Sequence, residues 1–497
     1  MSDFSKLLSR FIKEKNISVS SMVEYCGIDR SAMYKIIKGK RNPPSLEIRN
    51  RISHFMRLTP EESRLFNQAY EISLTGKDVY EKRKQAEKFI LNFPAVFQTE
   101  YSSFCCSSSS ERPEILPEKK CTAFSSQNMF YFYAQQIIES EADSENGQIG
   151  LLLQPDSEFL FSFLTDLKLS GSPCFIDHIF CMNHFSKGET SYNNLDTLSR
   201  LLPLFINGIH YRPYFFYDNV HSHYHNLNAF SSMILTKKYA ITCTADLKNG
   251  ILHKDPKTIT MLWKLFHSYK AKCHPLFYIP NSVIEDGSMV QKTVKNCSEL
   301  YFIEPEPCLI PFISESILPS LLPEDHPNRE TTLSYMYSYL KESKKSFSKA
   351  DMHFYFCKNE LDRFAETGIL TELPRPLSDT YALSVKERIE LLEKIFNSPF
   401  KVHYHFLKEP FLQAASRLRL CVGENSMYLQ FLNNQLHRSY LFLQEPEIIE
   451  ILFDYLKNID KNTICSEEET LAYFRETINW LKKKEKENEP CLTSRKS

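Results

Sequence analysis

The stretch 18-SVSSMVEYCGIDRSAMYKIIKGKRNPPS-45 reads as two short helices around a tight turn, followed by the start of another. Ser18 has the short hydroxyl that caps a helix over Val19 to Cys26. Gly27 stops that helix, because the left-handed backbone of a C-terminal cap costs glycine nothing. Asp29 caps a third helix from Arg30 to Lys38, Gly39 ends it, and Ser45 opens a fourth after Pro43-Pro44. Met22, Val23, Ile28, Met33 and Ile36 fall on the inward side of the pair. The outward side of the third helix and its exit carry Arg30, Lys35, Lys38, Lys40 and Arg41, with no acidic residue between Arg30 and Arg41.

Working outward, Phe4, Leu7, Leu8, Phe11 and Ile12 recur at helical spacing, and Asn16 ends that first helix. Thr59-Pro60-Glu61-Glu62 opens a fifth, with threonine as the cap and proline at the first helical position; a sixth runs from Asp78 to Asn92. Residues 1–58 hold twelve Lys or Arg against five Asp or Glu, a net charge of +7. The whole chain is at −1, so the rest is acidic. A basic module on an acidic body points to a polyanion partner for the module alone.

The segment 18–45 resembles the helix-turn-helix of the Xre/Cro family of phage-repressor-like transcription regulators. The matching features are the capping Ser18, the turn Gly27-Ile28-Asp29, the helix RSAMYKIIKGKRNP and the next helix after Pro44. The resemblance covers about 55 residues and departs from the family at Val19, where a glutamine is common, and at Val23, where alanine is usual. It implies that Arg30, Ser31, Tyr34 and Lys35 read base edges in the major groove, and that Ser18, Lys38, Lys40 and Arg41 meet phosphates.

Length bounds the rest: 497 residues suggest two to four domains. Residues 59–93 read as a helical extension of the 1–58 module, and 94–126, with FCCSSSSERPEILPEKK, as a Ser/Pro-rich linker. From 127 to about 330, β-like runs (QIGLLLQ from 148, PCFIDHIFCM from 173, HYRPYFFYD from 210, YAITCTA from 239) alternate with amphipathic helices, the pattern of an α/β layer. From 331 to 484 the pattern turns α+β. There KVHYHFLK, RLRLCVG, MYLQFLNN and RSYLFLQ predict an antiparallel meander near 401–444, and 485–497 reads as a charged tail. The expected fold class is therefore multi-domain: an all-α N-terminal helix-turn-helix domain and a large α/β to α+β body. No repeat of 20–50 residues stands out.

Other signals are weaker. His221, His223 and His225 share one face if extended, which makes them candidate metal ligands, but their Asn-rich surroundings read as a loop; no metal or cofactor is assigned. His403 and His405 alternate with Val402, Tyr404 and Phe406, which predicts a solvated sheet face for the histidines. Asp246, before Asn249-Gly250, reads as a turn residue. Phosphate-loop, dinucleotide, nucleophile-elbow and H-E-x-x-H motifs are absent, and Gly is scarce at 12 residues. The charged first twenty residues lack the apolar core of a secretory signal, no long uncharged apolar run occurs, and no C-x-x-C pair exists. These features predict a cytoplasmic protein with reduced thiols and no membrane segment. The expected function is a sequence-specific transcriptional regulator that binds double-stranded DNA as a homodimer, its body sensing a small-molecule or peptide effector. The alternative is an enzyme or protein-interaction body that the DNA-binding module targets or autoregulates.

Overall fold

The computed structural model describes residues 2–43, 45–97, 116–167, 174–183, 194–218, 230–280, 283–295, 297–370, 382–432 and 438–488. The chain divides into two compact units, Met1–Ala86 and Glu87–Ser497.

The first unit is helical: α1 (Asp3–Glu14), α2 (Val19–Cys26), α3 (Arg30–Ile37), α4 (Leu46–Phe55) and α5 (Pro60–Thr75), then most of α6 (Lys77–Asn92). Each start follows from its cap. Ser18, Asp29 and Ser45 accept from backbone amides two or three residues on, and Thr59 and Glu62 form a reciprocal capping box. Gly27 (φ 64°) stops α2 in the left-handed region. Phe4, Leu8, Phe11, Met22, Met33, Ile36 and Ile52 form the core, and Phe66 and Tyr70 of α5 complete it, the Phe66 ring lying 4.8 Å from that of Phe4 and tilted by 44°. The core therefore extends beyond residue 58, and α5 belongs to it rather than to an appended extension.

The second unit contains an eight-stranded and a seven-stranded sheet, both mixed. To the first belong β1 (Cys121–Phe124), α7 (Gln127–Ala142), β2 (Gln148–Leu152), α8 (Glu158–Asp166), β3 (Phe175–Asn183), α9 (Asn194–Ile206), β4 (His210–Asp218), β5 (Ser232–Leu235), β6 (Ala240–Cys243), β7 (Gly250–His253), α10 (Pro256–Lys270) and β8 (His274–Pro275). To the second belong β9 (Phe277–Tyr278), α11 (Val283–Lys295), β10 (Glu299–Glu304), α12 (Arg329–Phe347), β11 (Asp351–Phe356), α13 (Lys358–Thr367), α14 (Val385–Phe396), β12 (Val402–Phe406), α15 (Phe411–Ala415), β13 (Arg419–Gly423), β14 (Met427–Leu432), β15 (Arg438–Leu443), α16 (Pro446–Lys457) and α17 (Glu467–Asn488).

The two sheets repeat one topology. β2, β3 and β4 run parallel, as do β10, β11 and β12. On the near side of each trio lies an antiparallel strand, β5 or β13, then the hairpin strands β6 and β7, or β14 and β15. A short antiparallel edge strand, β1 or β9, closes that side. Even the far edge corresponds: β8 pairs antiparallel with β4, and an isolated antiparallel bridge joins Leu407, just past β12, to Ile464. Each copy is far longer than the 20–50 residues of a solenoid or propeller repeat.

Several expectations need correction. Cys121–Phe124 is an edge strand paired with β7, so the linker expected over 94–126 does not reach its far end; residues 98–115 lie outside the described residues. The division expected at 330 falls near residue 276, because Phe277-Tyr278 already pairs with β15. The meander holds for β13–β15, but β12 leaves it and pairs parallel with β11 at the opposite edge. The tail expected from 485 is still helical to Asn488.

Two buried polar side chains of β3 are paired. Asp177 on β3 meets Arg212 at 2.7 Å and Lys270 at 2.8 Å. His178, fully buried, faces the Tyr211 hydroxyl through Nδ1 and the Leu153 carbonyl through Nε2 at 2.8 Å. Burial holds its imidazole neutral and pushes its pKa down to about 4.

Two outcomes follow for stability. Gly27→Ala introduces left-handed strain alone, its new Cβ meeting nothing closer than 3.6 Å, whereas at Gly39 (φ 68°) the Cβ would lie 2.5 Å from Ser5 Oγ. Chemical denaturation should show Gly27→Ala losing about 1–2 kcal/mol and Gly39→Ala losing more. For His178, the unfolded chain takes up a proton below about pH 6.5 while the native one resists to about pH 4. Stability contributed above pH 6.5 is therefore lost as pH falls through that window, by an amount on the order of 3 kcal/mol. Urea midpoints at pH 7 and pH 4.5 should differ by that part less in His178→Gln than in the natural chain.

Candidate nucleic-acid interface

The outward face of α3 is set by what its inward face must do. Met33 and Ile36 are fully buried, one helical turn apart, so Arg30, Ser31, Tyr34 and Lys35 are turned to solvent. Asp29 fixes the start of the helix by accepting from the Ser31 amide at 2.8 Å and the Ala32 amide at 3.1 Å, and the Ser31 side chain together with these amides holds its carboxyl below the usual range. The Arg30 guanidinium lies 5.9 Å from the Tyr34 ring centroid, so the two present one joint surface. Lys38 is the C-terminal cap of α3, and Lys40 and Arg41 follow the left-handed Gly39; all three are exposed. Ser18 is exposed at the start of α2, where its hydroxyl accepts from the Ser21 amide. The structure thus brings all eight sequence-predicted residues to exposed positions around one helix pair.

Cations without a carboxylate partner are concentrated on this face, although Lys13, Arg49 and Arg57 elsewhere in the unit also lack one among the described residues. Lys6, Arg10, Lys15, Arg51 and Arg64, on or beside α1, α4 and α5, each meet a carboxylate at 2.7–3.7 Å. Among the described residues, Arg30, Lys35, Lys38, Lys40 and Arg41 have no ion-pair partner within 4 Å. Five cations within twelve residues repel one another, and an external polyanion would relieve that repulsion.

In the second unit, Asp246 is a turn residue: its carboxylate accepts from Thr244 Oγ1 at 2.6 Å and the Lys248 amide at 3.1 Å. Seven of the eleven described cysteines are buried, and burial raises the Cys26 thiol to about 11 and the Cys243 thiol to about 12, away from nucleophile chemistry. A cavity of about 100 Å³ lies between the second sheet and α11 and α12, with Glu304, Arg419 and Tyr428 in its wall. Arg419 reaches Glu306 at 2.9 Å and Glu304 at 3.4 Å, and Glu306 also meets Arg363 at 2.9 Å.

His221, His223 and His225 lie outside the described residues. The solvated face expected for His403 and His405 is overturned: both are half-buried, because residues 464–467 lie across β12. His405 Nδ1 faces the Cys465 carbonyl at 3.1 Å, and His403 Nδ1 faces Glu467 at 3.0 Å. Asp351, His353 and Glu467, which surround His403, were not singled out in the sequence. The one available signal was Asp351 and His353 at strand period, matching His403 and His405, and nothing local says that those two strands are neighbours.

No family model and no curated protein matches the chain. Among solved structures, similarity is found to a polyphosphate kinase from Porphyromonas gingivalis (9% identity, 74% of this chain, TM-score 0.22), of whose length the chain spans 56%. It is also found to TrmBL2, an archaeal chromatin protein whose structure is described as showing a novel mode of DNA binding (12% identity, 50% of this chain and 84% of that one, TM-score 0.22). A third is a phosphatidylserine synthase from Haemophilus influenzae (10% identity, 74% of this chain and 93% of that one, TM-score 0.22). At that TM-score none of the three bears on fold or function, and the reading rests on the chain's own geometry.

Proposed function

We propose that the helical unit is an Xre/Cro-type helix-turn-helix module that binds double-stranded DNA, and that the protein is a sequence-specific transcriptional regulator. The observation that carries this reading is the exposed cluster Arg30, Lys35, Lys38, Lys40 and Arg41, five cations within twelve residues with no ion-pair partner within 4 Å among the described residues. Arg30, Ser31 and Tyr34 stand on the first turns of α3, the end that enters the major groove in such modules, with Lys35 beside them. Lys38, Lys40 and Arg41 stand where the chain leaves the helix and meets the sugar-phosphate edge, and Ser18 meets it from the start of α2. One module of this size holds DNA weakly, so two copies of the chain act together on half-sites about one helical turn apart, in the cytoplasm. The second unit supplies dimerisation and effector sensing, and the cavity walled by Glu304, Arg419 and Tyr428 is the place for a small polar effector.

The test is to select an operator from random duplexes with the full chain, then titrate variants on operator and scrambled duplex at several salt concentrations. Arg30→Ala should weaken operator binding about 5- to 150-fold and scrambled duplex much less. Lys40→Ala should weaken both alike and flatten the salt slope by about 0.9, one phosphate's worth. Equal losses on both duplexes for Arg30→Ala, with an unchanged slope for Lys40→Ala, would remove the assignment.

A further inference from the structure

A half-buried cluster on the second sheet gathers two imidazoles and a carboxylate around one point. Strands β11 and β12 are parallel with His353 directly opposite His403, and their rings stack 4.6 Å apart at 16°. Asp351 precedes His353 by two residues, so it shares the same face. Both imidazoles turn Nε2 toward one atom, Asp351 Oδ1, at 3.1 Å from His403 and 3.5 Å from His353. That oxygen is buried and makes no hydrogen bond among the described residues.

His403 faces a carboxylate from each of its ring nitrogens. Its Nδ1 lies 3.0 Å from Glu467 Oε2, and a carboxylate only accepts, so the single N–H of a neutral ring belongs on Nδ1. Nε2 then presents a lone pair to a carboxylate lone pair at 3.1 Å. Two ring nitrogens thus converge on one carboxylate oxygen that makes no hydrogen bond among the described residues, and a divalent cation among the three donor atoms fits that convergence.

We infer that Asp351, His353 and His403 form a transition-metal site, with zinc the fitting ion and one coordination position left to water. Two imidazole nitrogens and one carboxylate oxygen are a zinc donor set, and they are the wrong set for magnesium or calcium, which take oxygen. The three donor atoms lie within 4.8 Å of one another. Zn–ligand bonds of 2.0–2.1 Å place tetrahedral neighbours about 3.3 Å apart, beside the 3.1 and 3.5 Å separations found here. Glu467 on the far nitrogen of His403 is the outer carboxylate that fixes tautomer and ring orientation at such sites. Tyr301 stacks 4.8 Å from His353 and holds that ring from the other side. The three side chains keep 22–41% of their surface exposed, so an ion reaches them from solvent. Because Glu467 lies in the first turn of α17, a bound ion ties β11 and β12 to the C-terminal helix. The site stands on the second sheet alone and is independent of the nucleic-acid reading.

Full-length protein, stripped with chelator and titrated with zinc chloride by calorimetry, should bind one zinc at this site. With cobalt(II) it should show the intense visible bands of a tetrahedral ion. His353→Ala and His403→Ala should abolish that binding, and Glu467→Gln should weaken it about 10- to 100-fold. His405→Ala, whose ring faces a backbone carbonyl, should leave it unchanged. Asp351→Asn keeps the shape of the side chain while removing its charge, so weaker binding in a variant with unchanged circular dichroism identifies ligand loss rather than misfolding. Absence of stoichiometric zinc binding, or binding undiminished in His353→Ala, His403→Ala and Asp351→Asn, overturns the site.

Discussion

Three parallel strands at the centre of each sheet constrain the rest of the body. Parallel neighbours cannot be joined by a tight turn, so each connection between β2, β3 and β4, and between β10, β11 and β12, must run across the sheet and carries helix. β3 is buried along nearly its whole length and β10 from Leu300 to Glu304, as strands covered on both faces are. Only beyond the trio does the chain return to hairpins, β5–β7 in one copy and β13–β15 in the other. Any polar side chain in the covered strands must find partners inside the protein. Asp177 between Arg212 and Lys270, His178 between Tyr211 and Leu153, and Glu304 beside Arg419 are the results of that requirement.

The helical unit was legible residue by residue because its determinants act over three or four positions. A capping serine or aspartate bonds to amides within its own first turn, and a left-handed glycine ends the helix it follows. The limits of α2, the starts of α3 and α4 and the Thr59–Glu62 box could therefore be read from short strings. Eight strands of the body, β2–β4, β6 and β12–β15, were readable too, since alternation and apolar runs are local, but β1, β5 and β7–β11 were not. Partnership was not. KVHYHFLK has the same period-two pattern whether its neighbour is β13, close in sequence, or β11, some fifty residues earlier, and the fold chose β11.

The same limit hid the histidine cluster. Alternation correctly puts Tyr404 and Phe406 inside and His403 and His405 on the opposite face. It cannot say that this second face is covered by residues 464–467, nor that His353 lies across from His403. The duplication of the body escaped for a related reason. A parallel trio asks only for apolar strands with room for crossovers, and β2–β4 and β10–β12 meet that demand with different residues, so topology persists without a shared string.

An eight-residue helix such as α3 is unstable by itself in water, since nucleation costs more than so few hydrogen bonds return. Its shape is imposed from beneath, by Met33 and Ile36 in the common core, and from its start, by Asp29. Nothing on its outward face is needed for folding. Elsewhere in the unit that freedom goes to stabilising ion pairs one turn apart, Arg51 with Glu47 and Arg64 with Glu61, each worth a few tenths of a kcal/mol. On α3 and its exit five cations stand close together without such a partner among the described residues, and they repel each other. The proposed contact with a polyanion would relieve that repulsion at no cost to the core beneath, because the residues that hold α3 in place lie on its other side.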